Sequence, residues 1–180
     1  MAIEHHDDHG HGLAHVAAPR VLVETVLSLV EPQPGESVLD LYAGVGLFAA
    51  YLADAVGPTG RVAAVEGSRD ACRDARSNLP SWVSVENGPV DRVLGSAYDE
   101  QFDVVVLDPP REGARRSVVS RIVDRAPRAV AYVACDPASL ARDLSTFAEL
   151  GYPLSRLRAF DLFPMTHHVE CVALLEPARP

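Results

Sequence analysis

Tyr132-Val133-Ala134-Cys135-Asp136-Pro137 is an apolar run that stops at a cysteine, an acid and a proline. Residues 129–134 read as a buried strand, and Asp136-Pro137 opens a helical apolar period over residues 138–150, so Cys135 falls where a strand stops and a helix starts. In an open α/β sheet that junction is the ligand-facing edge. A thiol there lies beside a helix N-terminus, whose partial positive charge favours the thiolate, the nucleophilic form. The plain alternative is a small buried hydrophobe, since free cysteine is among the most buried residue types.

The same alternation extends in both directions from this stretch. Short β-branched runs at residues 37–41, 61–65, 82–86 and 102–107 alternate with helical patterns over residues 47–56, 69–79, 89–94 and 115–126, the signature of a parallel sheet with crossover helices. Before them, Val21, Leu22, Val26, Leu27 and Leu29 recur at helical spacing over residues 20–30, and Pro32-Gln33-Pro34-Gly35 ends that helix. After the last helix come two extended runs, 154–161 and 168–175, joined by Phe163-Pro164-Met165-Thr166. Two strands with no helix between them imply an antiparallel hairpin at one edge of a mostly parallel, seven-stranded α/β sheet.

Residues 1–18 read as a mobile tail holding His5, His6, His9, His11 and His15 without periodicity. Clustered histidines can bind metal, but a tract this irregular leads us to expect none. Residues 19–180 make one domain, without repeats and with a core large enough to fold unaided.

The hydrophobic content of 48% excludes a disordered chain. Three cysteines without framework spacing argue against disulfides and for a reducing compartment. No apolar run approaches the roughly 20 residues needed to span a bilayer, so the expectation is a cytoplasmic protein without a membrane partner. The net charge of −9 counts against a strong general affinity for nucleic acid. Yet Arg111, Arg115, Arg116, Arg121, Arg125 and Arg128 face only Glu112 and Asp124 in the same stretch, which reads either as a local basic patch or as a solvated helix face.

The segment Asp40-Leu41-Tyr42-Ala43-Gly44-Val45-Gly46-Leu47-Phe48-Ala49 follows the first strand and opens a helix. Gly44 and Gly46 permit a tight turn and close backbone approach, and the helix N-terminus offers free N–H donors to a nucleotide-like ligand. The spacing satisfies G-x-G-x-x-A, and Glu66 ends the second strand where a carboxylate can accept ribose hydroxyls. The loop alone does not separate a nicotinamide cofactor from S-adenosylmethionine. Asp40, one turn ahead of the glycines, favours the latter, because an acid there suits a cationic ligand. Asn87 ends the third strand, where its amide reads either an adenine edge or simply a turn with Gly88.

At the end of the fourth strand, Asp108-Pro109-Pro110-Arg111-Glu112-Gly113 forms a stiff loop that holds polar groups at the carboxyl edge. Arg111 stands where amino-directed nucleic-acid methyltransferases have an aromatic for stacking, which weakens the case for an exocyclic amine as target. Carbon methylation of a pyrimidine needs a thiolate to add at C6 and a base to remove the C5 proton. Cys135 suits the first role. Glu170 enters an otherwise apolar strand and, if buried, suits the second; otherwise it is an outward-facing strand residue.

Taken together, residues 40–48, Val65-Glu66-Gly67-Ser68, Val106 through Arg111, Tyr132 through Pro137 with Ser139-Leu140-Ala141-Arg142-Asp143-Leu144, and Asp161 through Glu170 resemble the catalytic domain of the RNA 5-methyluridine methyltransferases. The resemblance covers about residues 21–175. It implies a class I, Rossmann-like fold, S-adenosyl-L-methionine as cofactor and a uridine in tRNA or rRNA as substrate. It further implies Cys135 as nucleophile and Glu170 as proton acceptor, with Tyr42, Glu66, Asn87 and Asp108 around the cofactor and the flipped base, and Asp108, Pro109 and Arg111 toward the substrate. Two departures stand out. Gly12-Leu13-Ala14-His15 replaces a glutamine-containing motif, and the family's RNA-binding N-terminal domain and insertion are not among these 180 residues. The expectation is therefore an enzyme that draws on an additional RNA-binding domain or chain, or a non-catalytic cofactor- or RNA-binding module. A nicotinamide oxidoreductase rests on the glycine pattern alone.

Overall fold

The computed structural model describes residues 11–161 and 169–178. In chain order the elements are α1 (His11–Val30), β1 (Ser37–Leu41), α2 (Leu47–Val56), β2 (Arg61–Glu66), α3 (Arg69–Asn78), β3 (Ser84–Asn87), α4 (Val90–Ser96), β4 (Val104–Leu107), α5 (Arg115–Val123), β5 (Ala129–Ala134), α6 (Pro137–Glu149), β6 (Leu154–Phe160) and β7 (Glu170–Leu175). They build one seven-stranded sheet in the order β3-β2-β1-β4-β5-β7-β6. Strands β1 to β5 run parallel, and β7 lies antiparallel to both β5 and β6.

Strands β4 and β5 are buried along their whole length because helices cover both faces. One apolar layer joins Val38, Val106 and Val133 of the sheet to Val26 of α1, Phe48 of α2 and Cys72 of α3. The opposite layer joins Leu41, Leu107 and Tyr132 to Leu94 of α4, Ile122 of α5 and Phe147 of α6. The strand order reverses between β1 and β4, and the carboxyl ends on either side of that point are where ligands bind in open α/β sheets.

Several expected boundaries move. Helix α1 begins at His11 rather than Arg20, so residues 11–18 of the expected tail are helical, while residues 1–10 lie outside the described residues. Pro19 inside it donates no backbone hydrogen bond, which is why the sequence signal starts only beyond it. Val83 N–H bonds to Pro80 O in a turn, which delays β3 to Ser84 and leaves Trp82 outside the strand. The connection expected at residues 163–166 also lies outside the described residues. Among the described residues no helix is long and apolar enough to cross a membrane, and no group of three or more His, Cys, Asp or Glu could hold a metal ion.

Candidate active site

The loop after β1 is held from behind and from the side. Asp40 is fully buried and its Oδ2 accepts a hydrogen bond from Ala49 N–H in the first turn of α2 (2.9 Å). Burial, with the charges of Asp108 and Glu66, pushes its pKa up to about 8. Among the described residues its Oδ1 has no hydrogen-bond partner. The acid expected beside a cationic ligand thus sits behind the loop, with one oxygen left over.

Gly44 and Gly46 both have positive φ, +56° and +88°, and Tyr42 shares the left-handed region at +61°. A side chain at Gly46 would press against Leu79 at 3.0 Å, whereas one at Gly44 would meet nothing within 4 Å. The open side of the loop therefore lies over Gly44, the cradle that a ligand would occupy. Glu66 secures that loop, accepting from Gly44 N–H through Oε2 (2.9 Å) and from Ser68 N–H through Oε1 (2.7 Å). Asn87 in turn donates to the carbonyls of Glu66 (3.0 Å) and Gly67 (3.1 Å). Its amide donor thus fixes a turn. Spare acceptor capacity remains on Glu66, because a carboxylate offers about four lone-pair sites.

Beside Tyr42 opens a cavity of about 290 Å³, walled by Pro89, Val90 and Asp91 at the start of α4 and by Pro110 and residues at the start of α5. Burial, followed by the Asp91 and Asp143 charges, pushes the Tyr42 phenol up to about 12, so it remains a neutral donor. Pro89, Val90 and Asp91 went unrecognised in the sequence because they carry no motif; only the turn at Asn87-Gly88 pointed nearby.

A second cluster of polar groups lies across the switch point. Asp136 caps α6, accepting from Ser139 N–H at 2.7 Å, with Pro137 in the first turn, so Cys135 stands at the strand-to-helix junction read from the sequence. The β5–β7 register pairs Ala134 with Cys171, the chain neighbours of Cys135 and Glu170, and the Glu170 charge acts on the Cys135 thiol. Cys135 is half-buried, and its thiol is shifted up, first by burial and then by Glu170, with Arg111 pulling it down and Asp108 opposing. The expected thiolate-favouring environment is therefore corrected: burial and two carboxylates outweigh the positive influences. Protein packed around Asp108 and the Glu170 charge push that carboxyl up to about 7, although its open edge to solvent moderates the shift. Glu170, the first residue of β7, is half-buried, and its charge reaches both Cys135 and Asp108. Pro109 is buried, and Pro110 instead lines the cavity, so the inward proline stiffens the loop from beneath.

The arginine run does not form a patch. Arg125 is buried and donates to the Tyr98 and Leu94 carbonyls at the end of α4, while Arg128 pairs with Glu36 (2.6 Å) and Arg116 with Glu149 (2.7 Å). Arg121 packs against Gly95. Arg111 lies within electrostatic reach of the thiol and Arg115 lines the cavity.

A family model described as tRNA (Uracil-5-)-methyltransferase matches residues 89–178, the half that contains Asp108, Cys135 and Glu170. The chain belongs to the tRNA (uracil-5-)-methyltransferase family. A second model, Methyltransferase small domain, matches residues 17–132. An RNA methyltransferase of Streptomyces avermitilis is 51% identical over 91% of this chain and 38% of its own. The 23S rRNA (uracil(1939)-C(5))-methyltransferase of a Shewanella species is 38% identical over 89% of this chain and 36% of its own. The structure of the Pyrococcus abyssi tRNA (uracil-54, C5)-methyltransferase in complex with S-adenosyl-L-homocysteine superposes with a TM-score of 0.72 and 34% identity, covering 88% of this chain and 38% of that one. The chain thus spans under two-fifths of the length of these relatives.

Proposed function

We propose that this chain is the catalytic part of an S-adenosyl-L-methionine-dependent methyltransferase acting on C5 of a uridine in tRNA or rRNA. The single observation that carries the reading is the β5–β7 register, which sets a half-buried thiol beside a carboxylate. These are the two groups that C5 methylation needs. The open cradle over Gly44 and the spare acceptor capacity of Glu66 fit a nucleoside-type cofactor. Glu66 would take its ribose hydroxyls, Gly44 and Gly46 its approach to the backbone, and the cavity beside Tyr42, with Asn87 bracing its rim, would take its base. When bound, S-adenosylmethionine supplies the methyl group that ends on C5.

The chain's own residues do the rest. The Cys135 thiolate adds to C6, forming an S–C6 bond and shifting the C5=C6 electrons toward C5 and the O4 carbonyl. Once C5 is methylated, Glu170 takes the C5 proton, the C5=C6 bond re-forms and the thiolate leaves. Arg111 offsets the carboxylates that hold the thiol protonated. Asp108 and Arg111, on the stiffened loop, face the base.

Cys135→Ala should abolish methyl incorporation from labelled cofactor into unmodified tRNA and rRNA while leaving cofactor affinity intact; retained activity would sink the covalent route. Glu170→Gln should accumulate a protein–RNA adduct visible in denaturing gels.

The dispersal of the arginines and the net charge of −9 favour a second reading, in which RNA is gripped by an additional domain or chain and this part alone is a cofactor-binding module. Robust incorporation into bulk RNA by the 180-residue protein at physiological salt would eliminate it.

A further inference from the structure

The loop that carries Asp108 and Arg111 is tied down by side chains from the neighbouring strand and helix. Tyr132 of β5, fully buried, accepts from Ala114 N–H (3.1 Å) and donates to Asp143 Oδ2 of α6 (2.8 Å). The same Oδ2 accepts from Ala114 N–H (2.7 Å) and from Arg115 N–H (3.3 Å), serving the opening of α5. Arg142 holds Asp143 Oδ1 through Nε (3.1 Å) and Nη2 (3.0 Å), and its Nη2 also donates to Glu112 O (2.6 Å). Between them lies Gly113, at φ +78°, where a Cβ would come within 2.5 Å of both Arg142 Nη2 and Asp143 Oδ2. Only glycine fits this contact.

Both anchors belong to the unit that carries the thiol. Tyr132 lies in β5 just ahead of Cys135, and Asp143 lies in α6, which opens just after it. We propose that Tyr132, Asp143 and Arg142 are positioning residues that lock the Asp108–Arg111 loop to the β5–α6 junction and so hold Arg111 within reach of the Cys135 sulfur. The catalytic meaning of this lock rests on the reading of Cys135 as nucleophile, whereas the positional part can be measured without RNA.

The groups acting on the thiol are Glu170 from β7 and Arg111 and Asp108 from the locked loop, with Arg111 the stronger of the last two. Releasing the loop therefore withdraws more positive than negative influence. Around Asp143 the charged or titratable neighbours are Arg142, Tyr132 and Tyr42.

The test is the rate of Cys135 alkylation by iodoacetamide as a function of pH, read by mass spectrometry on the 180-residue protein, with S-adenosylhomocysteine affinity as the control. Asp143→Asn and Tyr132→Phe should alkylate about threefold more slowly near neutral pH, with the profile moved to higher pH. Ligand affinity should stay within about twofold. Arg142→Gln changes a half-exposed side chain and keeps the test available should the buried variants not fold. It should slow alkylation in the same direction, and Arg142→Lys, which retains a donor for Glu112 O, should restore the wild-type profile. Wild-type alkylation profiles in variants that unfold at the wild-type temperature would overturn the proposal. If the profiles move as expected while the wild-type chain methylates no RNA, the proposed function fails and the positional lock stands.

Discussion

The two sides of the sheet's switch point handle their polar side chains in opposite ways. On the β1–β3 side nearly every polar group is spent on backbone: Asp40 on Ala49, Glu66 on Gly44 and Ser68, Asn87 on Glu66 and Gly67. On the β4–β5–β7 side burial comes first and charge second: Glu170, Arg111 and Asp108 all bear on the ionisation of Cys135, and Glu170 on that of Asp108. The first arrangement fixes loop geometry before a ligand arrives, which lowers the cost of binding. The second leaves charge interactions that a ligand can rearrange, a setting in which pKa values are readily displaced.

Substitutions can break this contrast one side at a time. The largest effect is expected from Gly46→Val, which places a β-branched residue at φ +88° against Leu79. It should cost at least about 1–2 kcal/mol of stability and most of the measurable affinity for S-adenosylhomocysteine, read by thermal unfolding and calorimetry. Glu66→Gln replaces an acceptor of two N–H groups with one that also carries donors, so about tenfold weaker cofactor binding is expected. Cys135 alkylation should be unaffected in that variant, and a change there would mean that the two sides are coupled.

Glu170→Gln probes the reacting side with an outcome of opposite sign. Because the Glu170 charge raises the Cys135 pKa, its removal should lower it and speed alkylation near neutral pH, while turnover stops after one methyl transfer, at the covalent adduct. The last substitution, at Asp40, reads a pH dependence instead of a loss at one pH. The folded Asp40 pKa of about 8 lies above the unfolded value of 3.8, so the native state holds the extra proton between them and stability falls as pH rises through that window. Asp40→Asn should flatten this decline, with each kcal/mol appearing as about 2–4 °C in Tm, measured from pH 4 to 8.5.

The contrast also separates what was readable in the chain from what was not. Alternating strands and helices, the glycine loop and the Cys135 junction were legible because each depends on neighbours within a few residues. The Asp136 cap and Pro137 are local chemistry, and they fell where the sequence put them. The arginine run stayed open between a basic patch and a solvated face for the converse reason. What decides it is non-local: Arg125 turns inward to the carbonyls closing α4 and Arg128 crosses to Glu36, partners distant in sequence. The thiol's environment was misjudged for the same reason, since the helix start is local and the opposing carboxylates arrive from β4 and β7.

By itself, the sequence determined a mostly parallel α/β sheet, a hairpin at its end, a nucleotide-type loop and a cysteine at a strand edge, all of them consequences of periodicity, turn chemistry and short spacing. Only the tertiary structure decided that β7 enters between β5 and β6, because strand order is settled by which long-range pairing buries the most backbone and side chain. That insertion brings Glu170 beside Cys135. The tyrosine and aspartate that lock the Asp108–Arg111 loop follow from the same packing, since a buried hydroxyl and carboxylate must find partners wherever the folded chain supplies them.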